Sequence, residues 1–153
     1  MNPSDFLRDT IDVVRQIETR YLELGTRLFR IREERLYLGT YDTFAEFLEA
    51  AKIGQGMASI LASIHKVYVL EGHVEPERLA GVGYSNLYSA IPLVEKEGIE
   101  SAVVKATTLS RSEIKDEVRE AEHGVHEHNI GQDRFGICDT CKKWIKLNEE
   151  KTV

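Results

Sequence analysis

From Leu7 to Ile31 the chain carries apolar side chains alternately three and four positions apart, and this pattern constrains the fold most. Such spacing places the side chains along one seam of a helix, so it predicts a long helix over residues 4–36 that packs along its length. Gly25 interrupts the pattern and marks a close helix crossing or a bend. The seam comprises Leu7, Thr10, Val14, Ile17, Tyr21, Leu24, Leu28 and Ile31.

The seam of this first helix has two interpretations, and the sequence leaves both open. It fits a helix that faces the core of its own chain, and it fits a heptad interface that joins two copies into a homodimer. Acidic residues lead the helix and arginines fill its end, which suits the helix dipole. We interpret that arginine-rich end as a solvated face rather than a phosphate site. The arginines are Arg27, Arg30, Arg32 and Arg35.

Residues 43–70 have the pattern of a helix-turn-helix: a short helix, a glycine turn and a longer helix. Thr43 and Glu46 form a capping box at the start, and small Ala50 precedes Gly54 at the point where the two helices are expected to approach closely. An equally simple alternative is a helical hairpin that completes a bundle. If the unit enters a major groove, the face that contacts DNA is expected to comprise Gln55, Ser59, Ser63 and Lys66.

Residues 76–122 continue the helical pattern, with Pro76 in a first helical turn and a second capping box from Ser110 to Glu113. No stretch between residues 99 and 122 alternates apolar and polar side chains for long enough to be a strand. The predicted fold is therefore all-α, with a multi-helix body over residues 1–122. A small zinc-binding knuckle or ribbon is expected over residues 123–153.

Residues 123–153 bring together three of the five histidines and both cysteines. Cys138 and Cys141 have the C-x2-C spacing at which one tight turn presents two thiolates to an ion, and His126 and His128 lie about ten residues upstream. This set predicts one structural, tetrahedral Zn2+, in which His123 could replace either histidine. Four protein ligands leave no position for a catalytic water. The alternative is two solvated histidines beside two incidental reduced thiols.

Composition and charge limit the classes of function. The chain has 153 residues, 30% of them charged, and a net charge of −6. It contains no apolar run near the roughly 20 residues that span a membrane and no signal-peptide pattern, so a cytoplasmic protein is expected. No segment is strongly basic, which counts against nucleic-acid binding without excluding it. Phosphate-loop and nucleophile motifs are absent from the sequence, and no enzymatic activity is expected.

Several segments of the sequence resemble helical proteins encoded by phages and other mobile elements. They are residues 21–25 (YLELG), 35–37 (RLY), 41–47 (YDTFAEF), 80–87 and 109–118. Proteins of that group carry a helix-turn-helix similar to that of the ParB and KorB partition proteins. The resemblance implies sequence-specific binding of double-stranded DNA, or regulation, on a mobile element.

Two functions follow from the sequence. The first is a DNA-binding transcription regulator, dimeric through the first helix and stabilised by zinc. The alternative is a non-catalytic protein-interaction module, an inhibitor or adaptor whose acidic helical surface contacts a basic partner. Burial of Ser59, Ser63 and Lys66 would end the first hypothesis.

Overall fold

The protein was analysed as a computed structural model, which describes residues 3–124, 135–138 and 140–146. Helices make up most of these residues, which confirms the predicted all-α body. The helices are α1 (Pro3–Glu33), α2 (Phe44–Ala50), α3 (Gln55–Ile64) with a π-helical continuation (His65–Glu71), α4 (Pro76–Leu79), α5 (Tyr84–Glu97), α6 (Ile99–Thr108) and α7 (Arg111–His123). Two short antiparallel strands follow, β1 (Phe135–Ile137) and β2 (Trp144–Lys146).

α1 ends at Glu33, three residues before the predicted end. The Leu36 N–H donates to the Ile31 carbonyl at 3.0 Å, and Arg35 lies between them with a φ of +53°. This is the Schellman arrangement that stops many helices, usually with glycine at the left-handed position. Arginine at this position does not indicate the end of a helix, so the predicted helix extended three residues beyond the observed end.

The close crossing predicted at Gly25 is confirmed. Gly25 is buried against α3, and a Cβ atom added there would lie 2.6 Å from the Leu61 carbonyl oxygen. α1 and α3 therefore pack backbone to backbone at this point. Leu28, one turn further along α1, is fully buried beside the crossing. The second half of the seam thus faces the core of its own chain.

The first half of α1 does not pack in the same way. Leu7, Val14 and Ile17 are 64%, 52% and 48% exposed, and their neighbours Ile11 and Val13 are exposed as well. A hydrogen bond ties α1 to the body further along, where the Glu18 carboxylate accepts the Tyr84 N–H at 2.9 Å. An apolar stripe thus extends along the part of α1 that precedes this contact.

The helix-turn-helix pattern matches the element order α2, turn, α3. The Thr43 hydroxyl accepts the Glu46 N–H at 3.1 Å, while the Glu46 carboxylate accepts the N–H of Asp42 rather than that of Thr43. Ala50 is exposed, so the close approach expected there is wrong. α2 is instead anchored to the core by Leu48, which is 3% exposed.

The second helix of this hairpin was predicted as one α-helix to residue 70, but it changes character at His65. His65–Glu71 is π-helical, and the Gly72 N–H continues the pattern by donating to Val67 five residues back. The buried Tyr68 hydroxyl donates to the Leu87 carbonyl at 2.8 Å, which ties this segment to α5. The wider turn is thus held in place by a tertiary contact.

α5, α6 and α7 complete the core around fully buried Leu87, Leu93 and Ile114. The capping box at the start of α7 is confirmed, because Ser110 and Glu113 exchange hydrogen bonds in both directions. Among the described helices, none combines the length and apolar character that crossing a bilayer requires.

Candidate functional site

The predicted DNA-reading residues lie along α3 and its π-helical continuation. Gln55, Ser59 and Lys66 are exposed, and Ser63 is half-buried. Lys66 Nζ lies 3.7 Å from a Glu71 carboxylate oxygen, so its charge is partly balanced. Three of the four predicted residues are therefore accessible to a partner, and the fourth is partly covered.

A shallow groove of about 240 Å³ joins this face to the end of α1. Arg32 lines the groove together with Gln55 and Ser59, over a floor that includes Leu28 and Leu48. The Arg32 guanidinium carbon lies 5.9 Å from the centre of the Phe29 ring, and its Nε donates to Glu33 at 3.3 Å. The groove therefore sets an arginine beside the polar face of α3, which contains none of its own.

Sequence reasoning interpreted the arginine-rich end of α1 as a solvated face, and Arg32 is exposed as that predicts. It missed the position of Arg32 beside Gln55, because residues 32 and 55 are far apart along the chain. The crossing of α1 over α3 brings them to one groove, and Gly25 in the middle of α1 was the one sequence signal of that crossing.

The two cysteines lie in the loop that joins β1 to β2. Cys138 and Cys141 are 0% and 7% exposed, although Trp144 close by is 69% exposed. The Lys142 N–H donates to the Cys138 carbonyl at 2.8 Å, and the Cys138 N–H donates to Lys143 at 2.9 Å. The turn therefore keeps both thiols away from solvent on the same short loop.

The other predicted zinc ligands, His126 and His128, lie outside the described residues. His123, the possible substitute, ends α7 with an exposed side chain. Within residues 3–124, 135–138 and 140–146, no three potential metal ligands cluster. The four-ligand site therefore stays a prediction.

An ion pair attaches the β1–β2 hairpin to the helical body. Lys143 Nζ lies 2.5 Å from the Asp116 carboxylate on α7, and Arg119 approaches the same carboxylate at 3.0 Å. The hydrogen bond from Lys143 is the main cause that holds the pKa of Asp116 below its usual value. The hairpin is thus positioned against α7.

A larger cavity, of about 370 Å³, lies between α1, α3, the π-helical segment and α4. His65 lines it and is 9% exposed. Its Nδ1 lies 3.0 Å from the Thr26 hydroxyl, and the Phe29 ring packs beside it at 5.3 Å between centroids. Burial lowers the pKa of His65, so the imidazole is neutral near pH 7.

Lowering the pH from about 7.5 to about 5 is expected to destabilise the protein partly through His65. The unfolded chain takes up a proton near pH 6.5, at the ordinary pKa of about 6.5, whereas burial lowers the folded pKa. The neutral imidazole therefore makes its full contribution to stability above the pKa of His65 in the unfolded chain. This contribution is lost as the pH falls towards the pKa of His65 in the folded chain. The urea concentration at the unfolding midpoint should fall less between about pH 7.5 and about pH 5 in His65→Phe than in the wild type. An equal fall in both proteins would contradict this role of His65.

Comparison with known proteins adds no constraint to this geometry. The chain matches no protein-family model, no curated protein and no solved structure. The resemblance to phage-encoded helix-turn-helix proteins therefore stays a prediction. The features that bear on function are the groove, the cysteine loop and the exposed stripe of α1.

Proposed function

We propose that the protein is a non-catalytic regulator that binds double-stranded DNA through α3. The observation that carries the proposal is the groove in which Arg32 lies beside Gln55 and Ser59. Arginine reads guanine edges and glutamine reads adenine edges in the major groove, and serine contacts bases or phosphates. α3 also begins at Gly54 without a side-chain cap, so its first N–H groups carry partial positive charge for a phosphate.

The overall net charge of −6 disfavours DNA binding, whereas the positive side chains near α3 favour it. Phosphate contacts supply much of the affinity for DNA, and each one adds to the salt dependence. Arg32, Lys52 and Lys66 are exposed around α3 and could make such contacts. We therefore expect modest affinity, a salt slope of about −3, as for three phosphate contacts, and a strong dependence on Arg32.

Selection of duplexes from a random library, followed by binding across about 50–200 mM salt, tests the proposal. We expect Arg32→Gln to weaken the selected duplex about tenfold, because one good arginine contact contributes on the order of 1–3 kcal/mol. Arg111→Gln is the matched control, since it removes the same charge from an exposed position on α7. No binding at low salt, or equal loss in both variants, would reject the DNA interface.

We also propose that the exposed half of α1 joins two copies into a homodimer. Leu7, Val14 and Ile17 continue the seam whose second half is already packed, and Ile11 and Val13 widen the stripe. The nearby charges pair within the helix, as Asp5 does with Arg8 at 3.0 Å. Because these charged side chains pair with each other, the stripe itself stays apolar, as in a helix that packs on another helix.

Val14→Asp is expected to convert the dimer to a monomer without unfolding the body, because Val14 is exposed within one chain. Sedimentation velocity at several concentrations measures this, and circular dichroism checks that the helix content is retained. Asp12→Asn is the matched control, at an exposed position outside the seam. A wild-type protein that stays monomeric at high concentration would contradict the dimer.

We propose that Zn2+ holds the C-terminal loop, with Cys138 and Cys141 as two ligands and His126 and His128 as the others, or His123 in place of one histidine. Burial of both thiols in one turn supports the pair. The role is structural, because such a hairpin has too small an apolar core to fold without a crosslink or an ion.

The alternative function, a protein-interaction module with an acidic helical surface, is favoured by the net charge of −6. In that function the exposed apolar stripe of α1 would contact the partner instead of a second copy. A module of this kind would bind no duplex in the library selection and would keep its structure in Arg32→Gln. The DNA experiment therefore separates the two functions.

A further inference from the structure

The cavity beside His65 has the size and lining of a small-molecule site. Its volume of about 370 Å³ falls within the roughly 300–1,000 Å³ typical of ligand pockets. Leu22, Leu61, Val69 and Leu79 form most of its apolar wall. A few polar side chains converge on the same space: Thr19, Glu23, Thr26, Arg27, His65 and Glu77.

The hydrogen bonds of Thr26 indicate which His65 nitrogen accepts. The Thr26 hydroxyl donates to the Leu22 carbonyl at 3.2 Å. With its proton placed there, the hydroxyl accepts from His65 Nδ1, 3.0 Å away, which assigns the tautomer in which Nδ1 carries the proton. In a neutral imidazole this leaves Nε2 as an acceptor.

His65 Nε2 has no hydrogen-bond partner among the residues that the structure describes. Yet every fully buried side-chain nitrogen or oxygen in that part of the chain has one. Nε2 must therefore keep some accessible surface, although the residue as a whole is 91% buried (9% exposed). His65 is one of the residues that line the cavity, so the cavity is the space into which this acceptor can open.

The backbone at this point is also unusual. His65 is the first residue of the π-helical segment, directly after α3. Short π-helical stretches are rare and are frequent at functional sites, because they displace side chains from their α-helical directions. Here the change of geometry begins at the one buried histidine of the described chain.

We propose that this cavity binds a small, uncharged, largely apolar molecule that donates a hydrogen bond from a hydroxyl or amide to His65 Nε2. The apolar wall disfavours a buried charge, and Glu23 and Glu77 at the cavity outnumber Arg27, which disfavours an anion. Thr26 holds the imidazole in the orientation that presents Nε2. The site does not depend on the DNA-binding function.

Two matched probes test the site: 4-ethylphenol, which has the donor, and 4-ethylanisole, which lacks it. Amide NMR spectra of the full chain should show saturable shifts at Leu22, Leu61 and Val69 with 4-ethylphenol. The anisole should bind about tenfold more weakly, the loss expected for one hydrogen bond to a buried acceptor. No saturable shift at these residues, or equal affinity for both probes, would overturn the proposal.

Two variants assign the effect to His65. His65→Phe should bind the two probes equally, because it keeps a ring and removes Nε2. Thr26→Val has nearly the same shape as threonine and removes only the hydroxyl that orients the ring, so it should weaken the phenol and leave the anisole unchanged. If His65→Phe fails to fold, Thr26→Val alone decides, and a retained preference for the phenol in it would overturn the assignment.

Discussion

Replacing Gly25 with alanine is expected to destabilise the helical body by about 2–3 kcal/mol, the upper range for an overpacked site. The added methyl would meet the Leu61 carbonyl oxygen at 2.6 Å. That atom belongs to the backbone of α3 and cannot rotate away. α1 would have to move off α3 and lose part of the packing around Leu28. Urea or guanidinium unfolding, followed by circular dichroism, measures the change.

Gly56→Ala is the matched control, and its expected effect has the opposite sign. Gly56 lies in the first turn of α3, and a Cβ atom added there meets no atom within 4 Å. Alanine should therefore stabilise the helix by about 0.5–1 kcal/mol. If Gly25→Ala were as stable as Gly56→Ala, the backbone crossing of α1 and α3 would be wrong.

Replacing Cys138 or Cys141 with serine is expected to remove one Zn2+ per chain and the structure of the C-terminal hairpin. Structural zinc supplies on the order of 10–16 kcal/mol of apparent free energy in small metal-dependent folds, so loss of one thiolate should unfold the loop. Metal analysis of the purified protein and amide exchange in β1 and β2 measure the two effects. A chelator should reproduce them in the wild type.

Thr140→Ser is the matched control, because Thr140 is exposed in the same turn and carries no thiol. It should keep both the metal and the hairpin. Single replacements of His123, His126 and His128 by alanine should show which histidines complete the site. Wild-type protein with no zinc and two readily titrated thiols would contradict the metal site altogether.

Structural features that depend on residues close together in the chain could be predicted from the sequence. The caps at Thr43 and Ser110 and the order of α2 and α3 depend on side chains a few positions apart. The end of α1 was not predictable in this way, because Arg35 adopts a left-handed conformation that its identity does not indicate. The π-helical segment is held by the contact between Tyr68 and α5, which is distant in sequence.

The same distinction applies to the sites. The spacing of Cys138 and Cys141 is local, so the pair could be identified before the fold was known. The groove at Arg32 and the cavity at His65 depend on how α1 crosses α3, and no local pattern encodes them. Arg32 is exposed, as the predicted solvated face requires, but its place beside α3 depends on the fold.

The cavity at His65 and the groove at Arg32 both lie beside the crossing of α1 and α3 at Gly25. The α1 side chains that line the cavity, such as Thr26, and those that line the groove, such as Arg32, lie on opposite sides of the same helix. Because the α1 and α3 backbones lie in contact at Gly25 and Leu61, the shapes of the cavity and of the groove both depend on this one crossing. A substitution that moves α1 off α3 there is therefore expected to change both spaces at once.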